Sequence, residues 1–379
     1  MERHFHILGV ELTLSAPADV LEPIAFSFKR FAVETLDQPV AERLCIRLAD
    51  SRTLTVNERE LPLVPGLAPG IQLYQRMQAA LMDAVGSWAV LHAAALTDRQ
   101  GGAIILAGPS GHGKSSLTLE LAGRGRGFLS DDIAPLDLAQ GLVSPFPRCV
   151  AVIPGKRAPI PEPFRAAADS PSAVRWFGKA LLDAGRILGE QALVDRPVPL
   201  RHVLLLASDG EGPPAATVVE VAVRVEDAPE LDALLTRTDG AEVMERRASD
   251  HLAWWRIRLD HERRPTESLS AVFDSDRIVL FDKQWDERPD FGVSPRATPV
   301  TRREAAEMLA REMLNRRTAG RFMARYGGSA ARIFVDLAGA LRDAKCWRIR
   351  VGGIGETADL VEQLTESGSR GGPPTGGGG

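Results

Sequence analysis

Short apolar and β-branched runs open the chain. Phe5 to Leu14 and Leu44 to Val56, separated by Pro, Asp and Asn, predict the strands of a small N-terminal unit. From Pro69 to Gly86 the spacing changes: Ile71, Leu73, Tyr74, Met77, Leu81, Met82 and Val85 recur near helical intervals, which predicts an amphipathic helix leading into the next unit. Trp88 to Leu96 and Ala103 to Ala107 are apolar runs joined by Thr97-Asp98-Arg99-Gln100-Gly101-Gly102, a stretch with the composition of a hairpin turn. The second run ends directly on a glycine-rich loop. Beyond it, Ser115 to Ala122 predicts a helix closed by Gly123 and Gly125, and Phe128-Leu129 a short strand with Asp131-Asp132 at its end. Ile133 to Leu138 and Leu142-Val143 around Ala139-Gln140-Gly141 predict another hairpin.

Prolines 154, 159, 161, 163 and 171 argue against regular structure, so Pro154 to Pro171 reads as a loop or lid. Arg201 to Ala207, Ala216 to Val225 and Trp347 to Val351 read as strands, and Arg302 to Ala324 and Glu356 to Leu364 as helices. Three regions result: an N-terminal α/β unit over 1–86, a larger unit over 87–366, and a Gly- and Pro-rich tail over 367–379 expected to be disordered. No internal repeat is evident.

Composition narrows the function classes. The 379 residues are 44% hydrophobic and 25% charged, an ordinary globular balance that excludes wholesale disorder and collagen-like or coiled-coil rods. The net charge of −4 supplies no global field for nucleic acid or an acidic membrane surface, so neither is expected as a partner. Cys45, Cys149 and Cys346 lie far apart with no Cys-x-x-Cys pair, which fits a reducing compartment. The chain start lacks signal-peptide features and no apolar run reaches the ~20 residues of a membrane helix, so the expected location is the cytoplasm.

Gly108-Pro109-Ser110-Gly111-His112-Gly113-Lys114-Ser115 fits G-x-x-x-x-G-K-[ST] in full, between a predicted strand and helix. Such a loop turns backbone N–H groups toward phosphate oxygens at a helix N-terminus; Lys114 reaches the β and γ phosphates and Ser115 can ligate Mg²⁺. The following Ser116 completes the nucleotide-binding set. Asp131 and Asp132 arrive on the next strand, toward the same sheet edge. One carboxylate there suits a metal ligand and the other the acceptance of a proton from an attacking hydroxyl, although one could instead cap a turn. His112 either touches a γ-phosphate or faces solvent, and His92 is either a site residue or a satisfied core histidine. Arg302, Arg303, Arg311, Arg316, Arg317, Arg321 and Arg325 give one predicted helical region a positive face, either solvated or receiving an acidic group. Arg148 and Lys156 are candidates for lid residues over a nucleotide.

His92, the loop from Gly108 to Ser116, Arg124-Gly125 and Phe128-Leu129-Ser130-Asp131-Asp132 together resemble the catalytic domain of the HPr kinase/phosphorylase family, above all its shorter HPr-kinase-related members. The resemblance covers about 50 residues from Leu91 to Pro135 and is shared in outline by ATP-dependent phosphoenolpyruvate carboxykinases. It implies an α/β P-loop kinase core of the HPr kinase / phosphoenolpyruvate carboxykinase type, with ATP and Mg²⁺ as cofactors. By the same resemblance Lys114 and Ser115 bind phosphates and magnesium, Asp131 activates the acceptor hydroxyl, Asp132 binds the metal and His92 lies beside the site. It further implies a serine-kinase-like activity on a protein, peptide or small-molecule hydroxyl, and it admits a homo-oligomer because HPr kinases are hexameric. The stretch Pro145 to Val152 lacks the glycine-rich signature of bifunctional members, so the resemblance extends neither to phosphorylase activity nor to HPr as the acceptor. Two readings compete: a nucleotide-responsive regulatory module with weak ATPase activity, and carboxykinase-like chemistry, which would need a larger chain with further metal-ligating residues.

Overall fold

The computed structural model describes residues 1–34, 42–49, 53–153, 159–208, 216–260, 263, 277–284, 289–316 and 320–366. Chain alternation builds the N-terminal sheet first. Its six strands run in the order Ala32–Val33, Glu2–Ile7, Val10–Ser15, Glu42–Leu48, Thr53–Val56 and Arg59–Pro62. Along Glu42–Leu48 the residues Leu44, Ile46 and Leu48 are buried and their neighbours Arg43, Cys45 and Arg47 exposed, the period-two signature of a half-buried strand. Helix Pro69–Ala84 lays Leu73, Met77 and Leu81 into the same apolar cluster, which also takes in Val90, Ile133 and Phe146 from the following region. Area removed from water at such positions stabilises the fold by about 25 cal/mol per Å².

The site is organised by a nine-stranded mixed sheet. Ala103–Ala107 pairs in parallel with Val198–Ala207, which pairs in parallel with Lys345–Arg350, so the C-terminal ends of all three strands reach one edge. Ala93–Thr97 lies antiparallel on the other side of Ala103–Ala107, confirming the hairpin, and Phe128–Ser130 pairs with it at the sheet border. Ala103–Ala107 is buried on both faces. Ile105 joins a cluster with helix Arg302–Arg311 and helix Ala330–Ala340, whereas Ile104 and Leu106 join one with helices Lys114–Gly123 and Ile354–Glu366. The structure is therefore mixed α/β, with layers of helix on both faces of a central sheet.

Three expectations are corrected. Residues 162–169 form a helix, Glu162–Asp169, because Pro161 sits at its N-cap and Pro163 in its first turn, where a missing N–H costs nothing. Residues 154–158 of that proline-rich stretch, with Lys156, lie outside the described residues. The single helix expected over 302–324 is two, Arg302–Arg311 and Arg321–Arg325, separated by a segment whose Met313 bridges Leu91. Its positive face is broken accordingly. Arg303 pairs with Glu307, Arg321 with Glu42, and Arg302 donates to the Arg342 carbonyl, while Arg317 lies outside the described residues.

Sequence pattern did not anticipate two further sheets. Val150–Val152, Lys179–Leu182 and Val174–Trp176 form one of three strands, and Ala241–Ala248, Leu252–Asp260, Ala216–Arg224 and Ile278–Gln284 form one of four. The tail 367–379 lies outside the described residues. No helix among the described residues is long and apolar enough to cross a membrane.

Candidate functional site

Strand Ala103–Ala107 runs straight into the loop 108–113, and the loop into helix Lys114–Gly123. Two glycines make that turn feasible. At Gly108 a Cβ would stand 2.7 Å from the Leu206 carbonyl oxygen of the neighbouring strand, so only hydrogen fits. Gly113 holds φ of 82°, the left-handed conformation that caps the helix, and its carbonyl accepts the first helical bond from Leu117 at 2.8 Å. Ser110 and Gly111 are exposed at the crest of the loop, with Pro109 and His112 buried beneath it. Ser116 is buried in the first helical turn.

The Lys114 side chain folds back over the loop it follows. Its Nζ donates to the carbonyls of Gly108 at 2.6 Å and Pro109 at 3.3 Å, and the residue is only 6% exposed. Burial, and to a lesser degree the Lys114 charge, hold the His112 imidazole down at about 4, so it is neutral near pH 7.

Strand Phe128–Ser130 delivers both carboxylates to this edge, where the Ser130 hydroxyl accepts the amides of Asp132 and Ile133 at 3.4 and 3.1 Å and fixes the turn. The two acids then meet opposite surroundings. Asp131 is 4% exposed, its Oδ2 accepts from Ser115 Oγ at 3.5 Å, and its buried Oδ1 has no hydrogen-bond partner among the described residues. Burial raises its carboxyl to about 7, against the pull of Arg148 and with the added repulsion of Asp132. Asp132 faces cations on both sides: its Oδ1 lies 3.1 Å from His92 Nε2, and its Oδ2 accepts from Arg148 Nη2. Burial opposes its charge, but Arg148, His92 and Lys114 outweigh burial and hold it well below the usual carboxylate range.

Each of those cations is itself held. Arg148 Nη1 donates to the Tyr74 hydroxyl at 2.8 Å, and Tyr74 stacks edge-on against Trp176 at 4.6 Å. Arg148 thus lies beneath the carboxylates, correcting the lid role considered from sequence. His92 Nδ1 faces Glu312 Oε2 at 3.2 Å. Burial and the Lys114 charge disfavour a protonated His92, yet its bonds to Asp132 and Glu312 prevail and raise it above the ordinary imidazole value. The structure therefore brings together His92, Lys114, Ser115, Asp131 and Asp132, and surrounds them with Arg148, Tyr74 and Glu312.

Sequence reasoning missed Glu312 and Tyr74. Tyr74 was visible only as a core position of an amphipathic helix, and Glu312 lies 220 residues from His92 with no local motif around it. The single available signal was His92 itself, a polar residue interrupting the apolar run from Trp88 to Leu96.

A hard divalent cation suits part of this edge. Ser115 Oγ and the Asp132 carboxylate, which arrive at one edge from helix Lys114–Gly123 and the turn after Phe128–Ser130, are the hard oxygen donors such an ion takes. Among the described residues no group of three or more His, Cys, Asp and Glu is arranged to hold a metal. Mg²⁺ takes one or two carboxylates and completes its shell with phosphate and water.

No family model matches the chain. A stretch of 98 residues is 32% identical to the HPr kinase/phosphorylase of Nitrosomonas europaea, covering 24% of this chain and 30% of that protein. This stretch is HPr kinase/phosphorylase-like. The chain thus spans about three-tenths of the length of the curated HPr kinase/phosphorylase it matches. Among solved structures, the HPr(Ser) kinase/phosphatase of Coxiella burnetii matches with 18% identity and a TM-score of 0.23, over 33% of this chain and 69% of that one.

Proposed function

We propose that the chain is an ATP- and Mg²⁺-dependent phosphotransferase of the P-loop kinase type, moving the γ-phosphate to a hydroxyl, most simply a serine, of a protein, peptide or small-molecule acceptor. One observation carries the reading: a complete phosphate loop at the end of a central strand, with two adjacent carboxylates of opposite surroundings facing it from the next strand of that edge. The likeness of a 98-residue stretch to an HPr kinase/phosphorylase supports it.

In this reading the backbone N–H groups of residues 110 to 113, past Pro109, and the Lys114 ammonium cradle the triphosphate, with Lys114 exchanging its loop carbonyls for phosphate oxygens. Ser115 and Asp132 would hold the metal, Arg148 yielding one oxygen of Asp132; when bound, Mg²⁺ neutralises charge on the β and γ phosphates. Asp131, through its unpartnered oxygen, accepts the acceptor's proton as that hydroxyl oxygen bonds to the γ phosphorus and the bond to the ADP oxygen breaks. His92, held between Glu312 and Asp132, stands at the rim of the same site with its Nε2 on the Asp132 carboxylate. Positioning and charge supply most of the rate, since phosphoryl transfer needs little covalent help. Residues 1–86 form an accessory α/β unit packed beside the catalytic unit.

Transfer of label from γ-labelled ATP, with Mg²⁺, to acceptors in a lysate of the source organism tests the proposal. A labelled species made by the native chain and absent with Lys114→Ala and Asp131→Asn supports it. Tight ATP binding with no labelled species contradicts it and favours a nucleotide-responsive regulatory module.

A further inference from the structure

Glu312 sits just past the end of helix Arg302–Arg311, in the break that divides the expected long helix. Backbone pairing pins this break against the strand Ala89–Leu91 and the residue after it. The His92 amide donates to the Glu312 carbonyl at 2.7 Å, Met313 bridges Leu91, and the Leu314 amide donates to the Val90 carbonyl at 2.8 Å. Asn315 completes the seam, its Oδ1 accepting the Val90 amide at 3.0 Å and its Nδ2 donating to the Trp88 carbonyl at 2.8 Å. The Cα positions of Glu312 and His92 are therefore fixed by main chain and Asn315, without help from the Glu312 carboxylate.

That carboxylate is nonetheless buried, 3% exposed, and turned onto His92 Nδ1. A buried charge is costly unless it does something for its partner. The torsion that swings an imidazole ring is soft, and an acceptor on one ring nitrogen is the usual means of fixing where the other nitrogen points. Here the other nitrogen, Nε2, meets Asp132 Oδ1 at 3.1 Å. Arg148 holds Oδ2 in the structure but would yield it to a bound metal, which leaves His92 as the contact that keeps the Asp132 carboxylate oriented.

We infer that Glu312 is a positioning residue for the transfer step, acting through His92 to hold the Asp132 carboxylate in its working orientation; this rests on the phosphotransferase reading above. Its effect on turnover exists only while His92 is present. Loss of the Glu312 side chain leaves the backbone seam and nucleotide affinity intact and lowers the rate of the bound complex.

Steady-state transfer of label from γ-labelled ATP, with Mg²⁺, to the lysate acceptors by the full chain provides the kinetic test, with Glu312→Ala, Glu312→Gln, His92→Ala and the Glu312→Ala/His92→Ala double variant. The Ala variant loses ~10–100-fold in kcat, the range seen for outer partners of site histidines, with KM for ATP within about twofold. Gln, whose amide oxygen still accepts from Nδ1–H, restores most of the rate. The double variant is no slower than His92→Ala alone, because two residues acting as one unit are not additive. A separate readout is the ¹H–¹⁵N resonance of His92 Nδ1–H in the native chain, protected by its hydrogen bond, kept in the Gln variant and lost in the Ala variant. Additive losses in the double variant, unaltered kcat in Glu312→Ala, or an Nδ1–H resonance indifferent to that change overturns the inference. If the native chain labels no acceptor, the phosphotransferase reading fails by itself, and the imidazole resonance still decides whether Glu312 orients His92.

Discussion

The sheet edge at the start of strand Ala103–Ala107 and the loop edge beyond its other end each hold a buried aspartate, Asp98 and Asp131, and the two differ in what the backbone gives them. At the leading end Asp98 Oδ1 accepts the amides of Gln100 and Gly102, both at 2.8 Å, while His202 and Arg201 stand 3.6 and 3.8 Å from Oδ2. Burial opposes that charge, but His202 and the two amides more than offset it and lower the carboxyl below its ordinary value. At the trailing end Asp131 has a hydroxyl at 3.5 Å and an oxygen with no partner, and burial lifts it to about 7. Residue type and residual exposure are alike at the two ends, and among the described residues each aspartate has one buried oxygen with no hydrogen-bond partner. What separates them is the other oxygen, which takes two backbone amides at 2.8 Å in Asp98 and one hydroxyl at 3.5 Å in Asp131, together with the deeper burial of Asp131.

The largest consequence falls on turnover. Asp131→Asn lowers phosphate transfer by ~10²–10⁴-fold, the usual contribution of a positioned acid–base group, with ATP binding retained in a direct titration. Asp98→Asn, by contrast, leaves turnover per folded molecule unchanged and lowers stability by ~1–3 kcal/mol, because two buried turn amides face a weaker acceptor. Equal losses of turnover in the two variants would erase the distinction.

Acid sharpens the same contrast at the loop. His112 is neutral when folded and protonates only near 4, whereas in the unfolded chain it protonates near 6.5. Between those values the unfolded state binds more protons at this residue, so the stability His112 contributes is present at neutral pH and is lost as acid is added, by roughly 3 kcal/mol in full, whereas Asp131, raised to about 7, acts in the opposite sense. Urea unfolding of the native chain and His112→Asn at pH 4.5 and 7.5 isolates it: acid lowers the stability of the native chain more than that of His112→Asn. A smaller effect, ~2–3 kcal/mol, attends Asn315→Ala, which strips buried bonds from the Val90 amide and the Trp88 carbonyl. Smallest is Pro163→Ala in helix Glu162–Asp169, at ~0.4–1 kcal/mol through added freedom of the unfolded chain; thermal unfolding measures both.

Much of the loop edge was legible because its determinants are local. The strand, loop, helix and second strand are consecutive in sequence, and each residue from Gly108 to Ser116, with Asp131 and Asp132, has its place set by neighbours a few positions away. The N-terminal strands were legible for the same reason, through the burial of Leu44 and Ile46 between exposed neighbours. What periodicity could not reveal is set by pairing across long separations. Met313 and Leu314 continue an apolar pattern that reads as helix, yet they serve as a short antiparallel seam against Val90 and Leu91, and only that seam brings Glu312 to His92. Arg148 misled in the opposite way: a basic residue near prolines suggested an exposed lid, whereas its guanidinium is buried between Tyr74 and Asp132. The helix at 162–169 was hidden by counting prolines without weighing their positions at its first turn.

The most direct measurement is the rate of transfer of label from γ-labelled ATP, with Mg²⁺, to the lysate acceptors by the native chain, Asp131→Asn and Asp98→Asn side by side, each normalised to folded protein. A fall of at least about 10²-fold for Asp131→Asn with an unaltered rate for Asp98→Asn is the predicted result. A native rate matched by Asp131→Asn, or an equal fall in both variants, would contradict the assignment of the loop edge as the site of phosphate transfer.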